Sequence, residues 1–243
     1  MKNTDIEIAV LCGGPGKRMG KLDLNKQKCM LEVEGRPIIE HLFEQIVKAF
    51  GRAKVVLSVG YKSNDIRNYF GNHYKTLQLE YTHESFAGTR LALLNTESFI
   101  KEEYFLSIDG DTIINGTELL NLVNLKRSNL LGTILVSTRQ EIAPTHGLAI
   151  MKGRRVLKID YPPSQSTLEY QAFRLMDTGF YSKKLFEYLK ISNIQTISQT
   201  LNSLIEGGET IEGKLYSDIW FHFMKPEDLR THIFFESFGI RNN

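Results

Sequence analysis

Gly13-Gly14-Pro15-Gly16-Lys17-Arg18 puts three glycines and two cations into one turn, directly after the apolar run Ile6-Glu7-Ile8-Ala9-Val10. Glycine lets backbone N–H groups close on an anion, and arginine can grip two phosphate oxygens at once. That chemistry is phosphate binding. Two familiar forms of it do not fit. A P-loop, G-x-x-x-x-G-K-[ST], would need glycine in place of Leu11 and a hydroxyl in place of Arg18. A dinucleotide fingerprint, G-x-G-x-x-G, is met by Gly14 and Gly16 but finds Met19 at its third glycine. Taken alone, these glycines also suit a tight surface turn, and Lys28, ten residues beyond Arg18, is equally an ordinary solvated charge. Asp109-Gly110-Asp111 ends a second apolar run, Tyr104 to Ile108. A carboxylate there is costly without a cation or hydrogen bonds, so a metal role for Asp111 makes physical sense. No Ser/His/Asp constellation for nucleophilic catalysis stands out.

The elements that must position these residues read as alternating strands and helices. After the first strand, Pro37 suits a first helical turn, and Ile38, Ile39, Leu42, Phe43, Ile46, Val47 and Phe50 recur at helical spacing until Gly51. Lys54 to Val59 is a buried-strand pattern, followed by a short helix over Asn64 to Phe70, a strand over Gln78 to Thr82 and a helix over Thr89 to Glu97. Such alternation predicts an α/β fold, a Rossmann-like three-layer sandwich with a mostly parallel central sheet. Ligands in such folds sit at the carboxyl ends of the strands, where both distinctive loops fall. From Leu131 the pattern changes: a core strand at Gly132 to Thr138, a hairpin turning near Lys152-Gly153, and a strand entering a turn over Arg174 to Ser182. Helices over Lys183 to Lys190 and Ile194 to Glu206 follow. With no Pro/Gly/Ser-rich linker, we expect a single domain over 1–243: a nucleotide-binding half to about residue 130 and a smaller β-rich, acceptor-binding elaboration over 131–243.

Composition narrows the function. The 243 residues are 42% hydrophobic, enough for a core, and the net charge of +2 gives no electrostatic argument for nucleic acid or a membrane surface. No stretch approaches the ~18 apolar residues of a membrane span. Asp5 and Glu7 interrupt any signal-peptide core, and two cysteines make neither a disulfide scaffold nor a zinc cluster. The expected setting is the reducing cytoplasm, with assembly into a homo-oligomer left open.

LCGGPGKRMG followed by KCMLEVEGRPIIEHL resembles the paired signature of the sugar-phosphate nucleotidylyltransferases, G-G-x-G-x-R-[ML] and K-P-M-L-x-[VI]-x-G-[KR]-P-[IL]-I-E-H. FAGTRLALL, FLSIDGDTIIN, HGLAIM, RLMDTGFY and IWFHFMKPEDL resemble further segments of that family in the same order, over about residues 7 to 232. The resemblance implies in-line attack of an acceptor phosphate on the α-phosphorus of a nucleoside triphosphate, with release of pyrophosphate and no covalent intermediate. By position, Leu11, Cys12, Gly13, Gly14, Gly16 and Lys17 would hold the triphosphate. Arg18 and Lys28 would stabilise its charge, and His83, Gly88, Thr89 and Asp109 would complete the nucleotide side. Core packing is the alternative for the segment around Gly88. Asp111 matches the ligand of Mg2+, and Gly147, Asp160 and Asp177 match acceptor-contacting positions.

The departures lie on the acceptor side. Where the family has E-[EQ]-K-P, this chain has Asp160-Tyr161-Pro162-Pro163, and proline cannot replace the lysine's charge. The second metal ligand would be His222 in place of aspartate, with Asp218 as a substitute. Imidazole is a weaker choice than oxygen for Mg2+ but suits Mn2+ or Zn2+; alternatively His222 is a packed histidine. Cys29 replaces the proline of K-P. The expected function is therefore nucleotidyl transfer to a sugar-1-phosphate. Transfer to a non-sugar phosphate such as phosphocholine, or a catalytically weak regulatory subunit, are the alternatives. Met19 argues against a nicotinamide-dependent oxidoreductase. No left-handed β-helix repeats follow residue 232, so no appended acyltransferase domain is expected. The nucleobase is not legible.

Overall fold

A computed structural model describes residues 6–19, 26–82, 88–125, 129–138, 147–160, 170–218 and 220–230. The first half is laid down as β1 (Ile6–Cys12), a ribbon of β2 (Glu32–Val33) and β3 (Arg36–Pro37), α1 (Ile38–Phe50), β4 (Ala53–Val59) and α2 (Ser63–Phe70). Then come β5 (His73–Tyr74), β6 (Leu77–Tyr81), α3 (Gly88–Leu94), β7 (Tyr104–Asp109), β8 (Thr112–Ile113) and α4 (Gly116–Val123). The second half adds β9 (Gly132–Ser137), β10 (Leu148–Lys152), β11 (Arg155–Asp160), β12 (Gln171–Ser182), α5 (Leu185–Ile191), α6 (Ile197–Glu206), β13 (Ile211–Tyr216) and β14 (Phe221–His222).

One ten-stranded sheet runs through both halves in the order β10-β11-β13-β9-β12-β7-β1-β4-β6-β5. It is mixed. β6, β4, β1 and β7 are parallel, as the alternating pattern predicts. β12 runs antiparallel between β7 and β9, and β13 lies parallel to β9. The β10–β11 hairpin and β5 complete the antiparallel part. Side chains of β1 alternate between two cores. Ile6, Ile8, Val10 and Cys12 pack with α1, α2 and α4, while Ala9 and Leu11 pack with α3, α5 and α6. Helices therefore cover both faces.

Burial explains why α1 forms as predicted. Ile38, Ile39, Leu42, Phe43 and Ile46 are fully buried along one stripe, each contributing about 1.5–3 kcal/mol of transfer free energy. The helix stops at Gly51, whose φ of 71° suits glycine and whose N–H donates to Val47 O. Four expectations need adjustment. The helix expected from Ile194 starts only at Ile197, because Thr196 caps it, its side chain accepting from Gln199 N–H. The helix expected over Thr89 to Glu97 is Gly88–Leu94, closed by turns over 94–100. α4 and β13 have no counterpart in the sequence reading. Finally, β12 does not give way to a turn within Arg174 to Ser182; it is strand as far as Ser182. It continues through a bulge between Leu175 and Gly179, where Asp177 takes φ 48°, a left-handed conformation that Asp and Asn tolerate better than other non-glycine residues.

Candidate active site

β1 and β7 run parallel with Leu11 opposite Asp109, so the glycine turn and the D-G-D turn emerge side by side from the sheet's carboxyl edge. Gly110 is the seam: its N–H donates to Leu11 O at 2.9 Å, and a Cβ on it would stand 2.5 Å from Cys12 Sγ. Only glycine lets the two turns close up. Gly13 O accepts from Tyr61 N–H at 3.1 Å, which ties the phosphate-type loop to the end of β4. Gly16 has φ 64° and lies against the Lys28 side chain, while Lys17 and Arg18 fall in a single 3-10 turn.

Lys28 sits in a second 3-10 turn, Lys28–Met30. Gln27 fixes that turn: its Nε2 donates to Cys12 O, its Oε1 accepts from Cys29 N–H, and its own N–H donates to Asp65 Oδ2 at 2.8 Å. So held, the Lys28 ammonium bonds directly to the Asp111 carboxylate. Burial alone would raise the pKa of Asp111, but Lys28 and His222 beside it hold it well below the usual carboxylate range. Lys28 in turn is raised, because Asp111 outweighs the cost of its own burial.

His222 arrives from the far end of the chain. β14 pairs with β8, placing His222 opposite Thr112, and Phe223 N–H donates to Asp111 O at 3.0 Å. His222 Nε2 then lies 3.3 Å from Asp111 Oδ2. One ligand atom from each of Asp109, Asp111 and His222 lies within 4.8 Å of the others. Asp218, the alternative ligand, is exposed and lines a separate surface cavity with Lys214 and Tyr216. Asp177 faces the same cluster, because β12 pairs Thr178 with Ile108 at the end of β7. Asp109 is raised by burial and then by the charges of Asp177 and Asp111. Asp177, whose side chain stays open to solvent, is raised by partial desolvation in the cleft and by Asp111, with His222 and Arg18 opposing. Three carboxyl groups thus crowd one spot. Two carboxylate donors with an imidazole make a donor set for a divalent cation, with Mn2+ accommodated by the nitrogen more readily than Mg2+.

These groups open into one cleft of about 540 Å³. Its lining includes Leu11, Cys12, Gly13, Gly14, Gly16, Arg18, Lys28, Gly88, Thr89, Asp109, Asp111, Asp177 and His222. Gly147 and Asp160 are buried and lie outside that lining; Gly147 O accepts from Leu175 N–H, and Asp160 pairs with Lys158 at 3.5 Å. His83 and the Tyr161-Pro162-Pro163 departure lie outside the described residues, as does the side chain of Lys17. Sequence reasoning missed Gln27 and a wall made by Thr196, Ile197 and Ser198. That wall is tied to Gly88-Thr89-Arg90. Ile197 N–H donates to Thr89 Oγ1, Arg90 N–H to Gln195 O, and the Arg90 guanidinium to Ile194 O at 2.6 Å and Leu189 O at 2.5 Å. Thr89 Oγ1 therefore braces the wall as an acceptor.

The MobA-like NTP transferase domain family matches residues 8–159, from β1 through β11. The chain belongs to this family. The UTP–glucose-1-phosphate uridylyltransferase AglF of Haloferax volcanii is 28% identical over 222 residues, 85% of this chain and 86% of that protein. The bifunctional protein GlmU of Methanocaldococcus jannaschii is 25% identical over 92% of this chain, which spans only 52% of that relative. Among solved structures, UTP-bound UGPase from Acinetobacter baumannii superposes with a TM-score of 0.81 at 15% identity, covering 96% of this chain and 94% of that one. The inositol-1-phosphate CTP transferase from T. maritima gives 0.77 at 17% identity, covering 97% and 96%. At those identities the structural likeness establishes the fold. For this NTP transferase, the glycine turn, Lys28 and Asp111 all fall inside the matched segment.

Proposed function

We propose that this chain transfers a nucleoside monophosphate from a nucleoside triphosphate to a sugar-1-phosphate, releasing pyrophosphate and an NDP-sugar. The observation that carries the reading is the Lys28–Asp111 pair facing the glycine turn across one cleft. Backbone N–H groups of Gly13, Gly14 and Gly16 hold the triphosphate, with Arg18 at the cleft's rim for its charge. An acceptor phosphate oxygen attacks the α-phosphorus, and the α–β anhydride bond breaks as pyrophosphate leaves. Lys28 lies where negative charge accumulates during that displacement; positioning and charge neutralisation, not a nucleophilic side chain, drive such a step. Asp111 with His222 and Asp109 would hold Mg2+ or Mn2+, which when bound neutralises and aligns the phosphates. Gly88 and Thr89 border the nucleotide. Asp177 borders the acceptor; Gly147 holds the neighbouring Leu175 N–H, and Asp160 lies further off on β11.

A second reading, transfer to a less hydroxylated non-sugar phosphate, draws support from Ile134, Ile159, Leu175 and Leu201 in the cleft lining. One experiment separates them. dTTP, UTP, GTP and CTP are each mixed with sugar-1-phosphates and with amino-alcohol phosphates, with Mg2+ or Mn2+, and pyrophosphate is measured. Release with sugar-1-phosphates supports the first reading, and release only with amino-alcohol phosphates supports the second. Silence across the panel, from folded protein, would overturn both.

A further inference from the structure

The chain's two cysteines, seventeen positions apart, meet beside the catalytic lysine. Cys12 ends β1, and Cys29 follows Lys28 in the next turn. Both cysteines are free and nearly buried, each 2% exposed, in the floor of the cleft, so only a small oxidant entering the cleft reaches them. A single point, where a Cβ on Gly110 would stand, lies 2.5 Å from Cys12 Sγ and 3.1 Å from Cys29 Sγ. Gln27 bonds to Cys12 O with one end of its amide and to Cys29 N–H with the other, so the two backbones are clamped side by side. The transfer chemistry uses neither sulfur.

We propose that Cys12 and Cys29 form a reversible oxidation site at which hydroperoxides switch the enzyme off. The Cys29 sulfur, as its thiolate, attacks the hydroperoxide, forming an S–O bond and breaking the O–O bond. A sulfenic acid is left, and the departing oxygen takes the thiol's proton to leave as water from hydrogen peroxide or as an alcohol from an organic hydroperoxide. The sulfur of Cys12 then attacks Cys29, forming the S–S bond; the sulfenic oxygen leaves as water with the Cys12 proton. Peroxide is reduced and the two thiols are oxidised by two electrons. A disulfide needs its sulfurs about 2 Å apart. Drawing them together past Gly110 pulls the Lys28–Met30 turn against β1 and takes Lys28 off Asp111. Misplacing a charge-stabilising group by about an ångström costs on the order of 100-fold in rate. A triphosphate seated on the glycine turn covers the thiols and slows the reaction.

The test treats the reduced full chain with hydrogen peroxide, with and without nucleoside triphosphate, and maps its thiols by peptide mass spectrometry. The expected result is a Cys12–Cys29 peptide lighter by two hydrogens, slower to form with nucleotide present and reversed by dithiothreitol. Pyrophosphate release, an arm that rests on the proposed transfer activity, should fall on the order of 100-fold in step with the bond and recover with it. Cys29→Ala should keep most of its own untreated rate under the same peroxide. Two results overturn the site: sulfinic acids on unjoined cysteines, or equal inactivation of Cys29→Ala. The mass measurement needs no turnover and no variant. A chain that forms the bond yet releases no pyrophosphate overturns the transfer reading and leaves the thiol site standing.

Discussion

Lys28 meets Asp111 inside the cleft because Gln27 anchors its turn to Cys12, Cys29 and Asp65. If the ammonium neutralises charge that grows in the transition state, Lys28→Ala should lower kcat by about 10²–10³, the scale of losing one preorganised donor. Steady-state turnover of the folded variant checks this; near-normal kcat would refute the role. Asp111→Asn should remove most activity if Asp111 holds the cation as proposed, since the neutral amide loses the charge that would bind it. His222 gives a finer handle. His222→Asp should shift the preference from Mn2+ towards Mg2+, read as the ratio of rates with the two ions. An unchanged metal dependence in His222→Ala would leave the histidine a packing role only. At this scale the sequence was most informative where chemistry is local. The glycine turn and D-G-D are contiguous, and each is legible as a string. Gln27 is a single amide whose partners lie at positions 12, 29 and 65, and no spacing announces it.

Local pattern served the elements as long as one stripe or one alternation decided burial, as in α1 and the strands β1, β4 and β7. It failed for β13, where Gly213 interrupts the apolar alternation; a Cβ there would stand 2.5 Å from Met151 Cε, so close packing took precedence over strand propensity. It also missed α4, although Asn115 caps that helix by accepting from Thr117 N–H; Gly116 beside the cap reads as a turn, and the contact it makes with Gln45 O of α1 is tertiary. α1 carries a titratable device as well. His41 is fully buried, with Nε2 2.8 Å from Val33 O and Nδ1 3.3 Å from Arg36 Nη2. Both contacts are satisfied by a neutral ring protonated on Nε2, donating to the carbonyl and accepting from the guanidinium. Burial lowers the His41 pKa, the Val33 carbonyl opposes, and Arg36 lowers it further. The unfolded chain, with a histidine pKa of about 6.5, therefore takes up the proton first as pH falls. The stabilisation is complete above about pH 6.5 and is lost as pH drops towards the lower folded value. Thermal unfolding from pH 8 to 5 should show the gap between wild type and His41→Gln narrowing on acidification. A gap constant with pH would count against this.

The two halves of the chain build one cleft, joined in the sheet where β12 pairs with β7 and again by a second seam of contacts at the cleft's wall. Gly88 has φ 86°, and a Cβ there would stand 2.5 Å from Gln195 O, so the start of α3 is pressed directly onto the segment that enters α6. Arg90 locks that seam by donating to two carbonyls in the second half, Leu189 and Ile194. Arg90 lies inside FAGTRLALL, a stretch that does not announce its distant partners at positions 189 and 194. Arg90→Ala leaves both carbonyls without their donor, at about 1–3 kcal/mol of stability. The wall of Thr196, Ile197 and Ser198 then loses its fixed distance from the glycine turn, while Lys28 and Asp111, held by β1, β7 and Gln27, keep theirs. Loss of uniform binding raises KM and spares kcat, whereas loss of a transition-state contact lowers kcat. Arg90→Ala should therefore raise a substrate KM about tenfold with kcat within a fewfold of wild type, and Arg90→Lys should recover part of the difference. A fall in kcat with unchanged KM would place the seam within the reacting groups themselves.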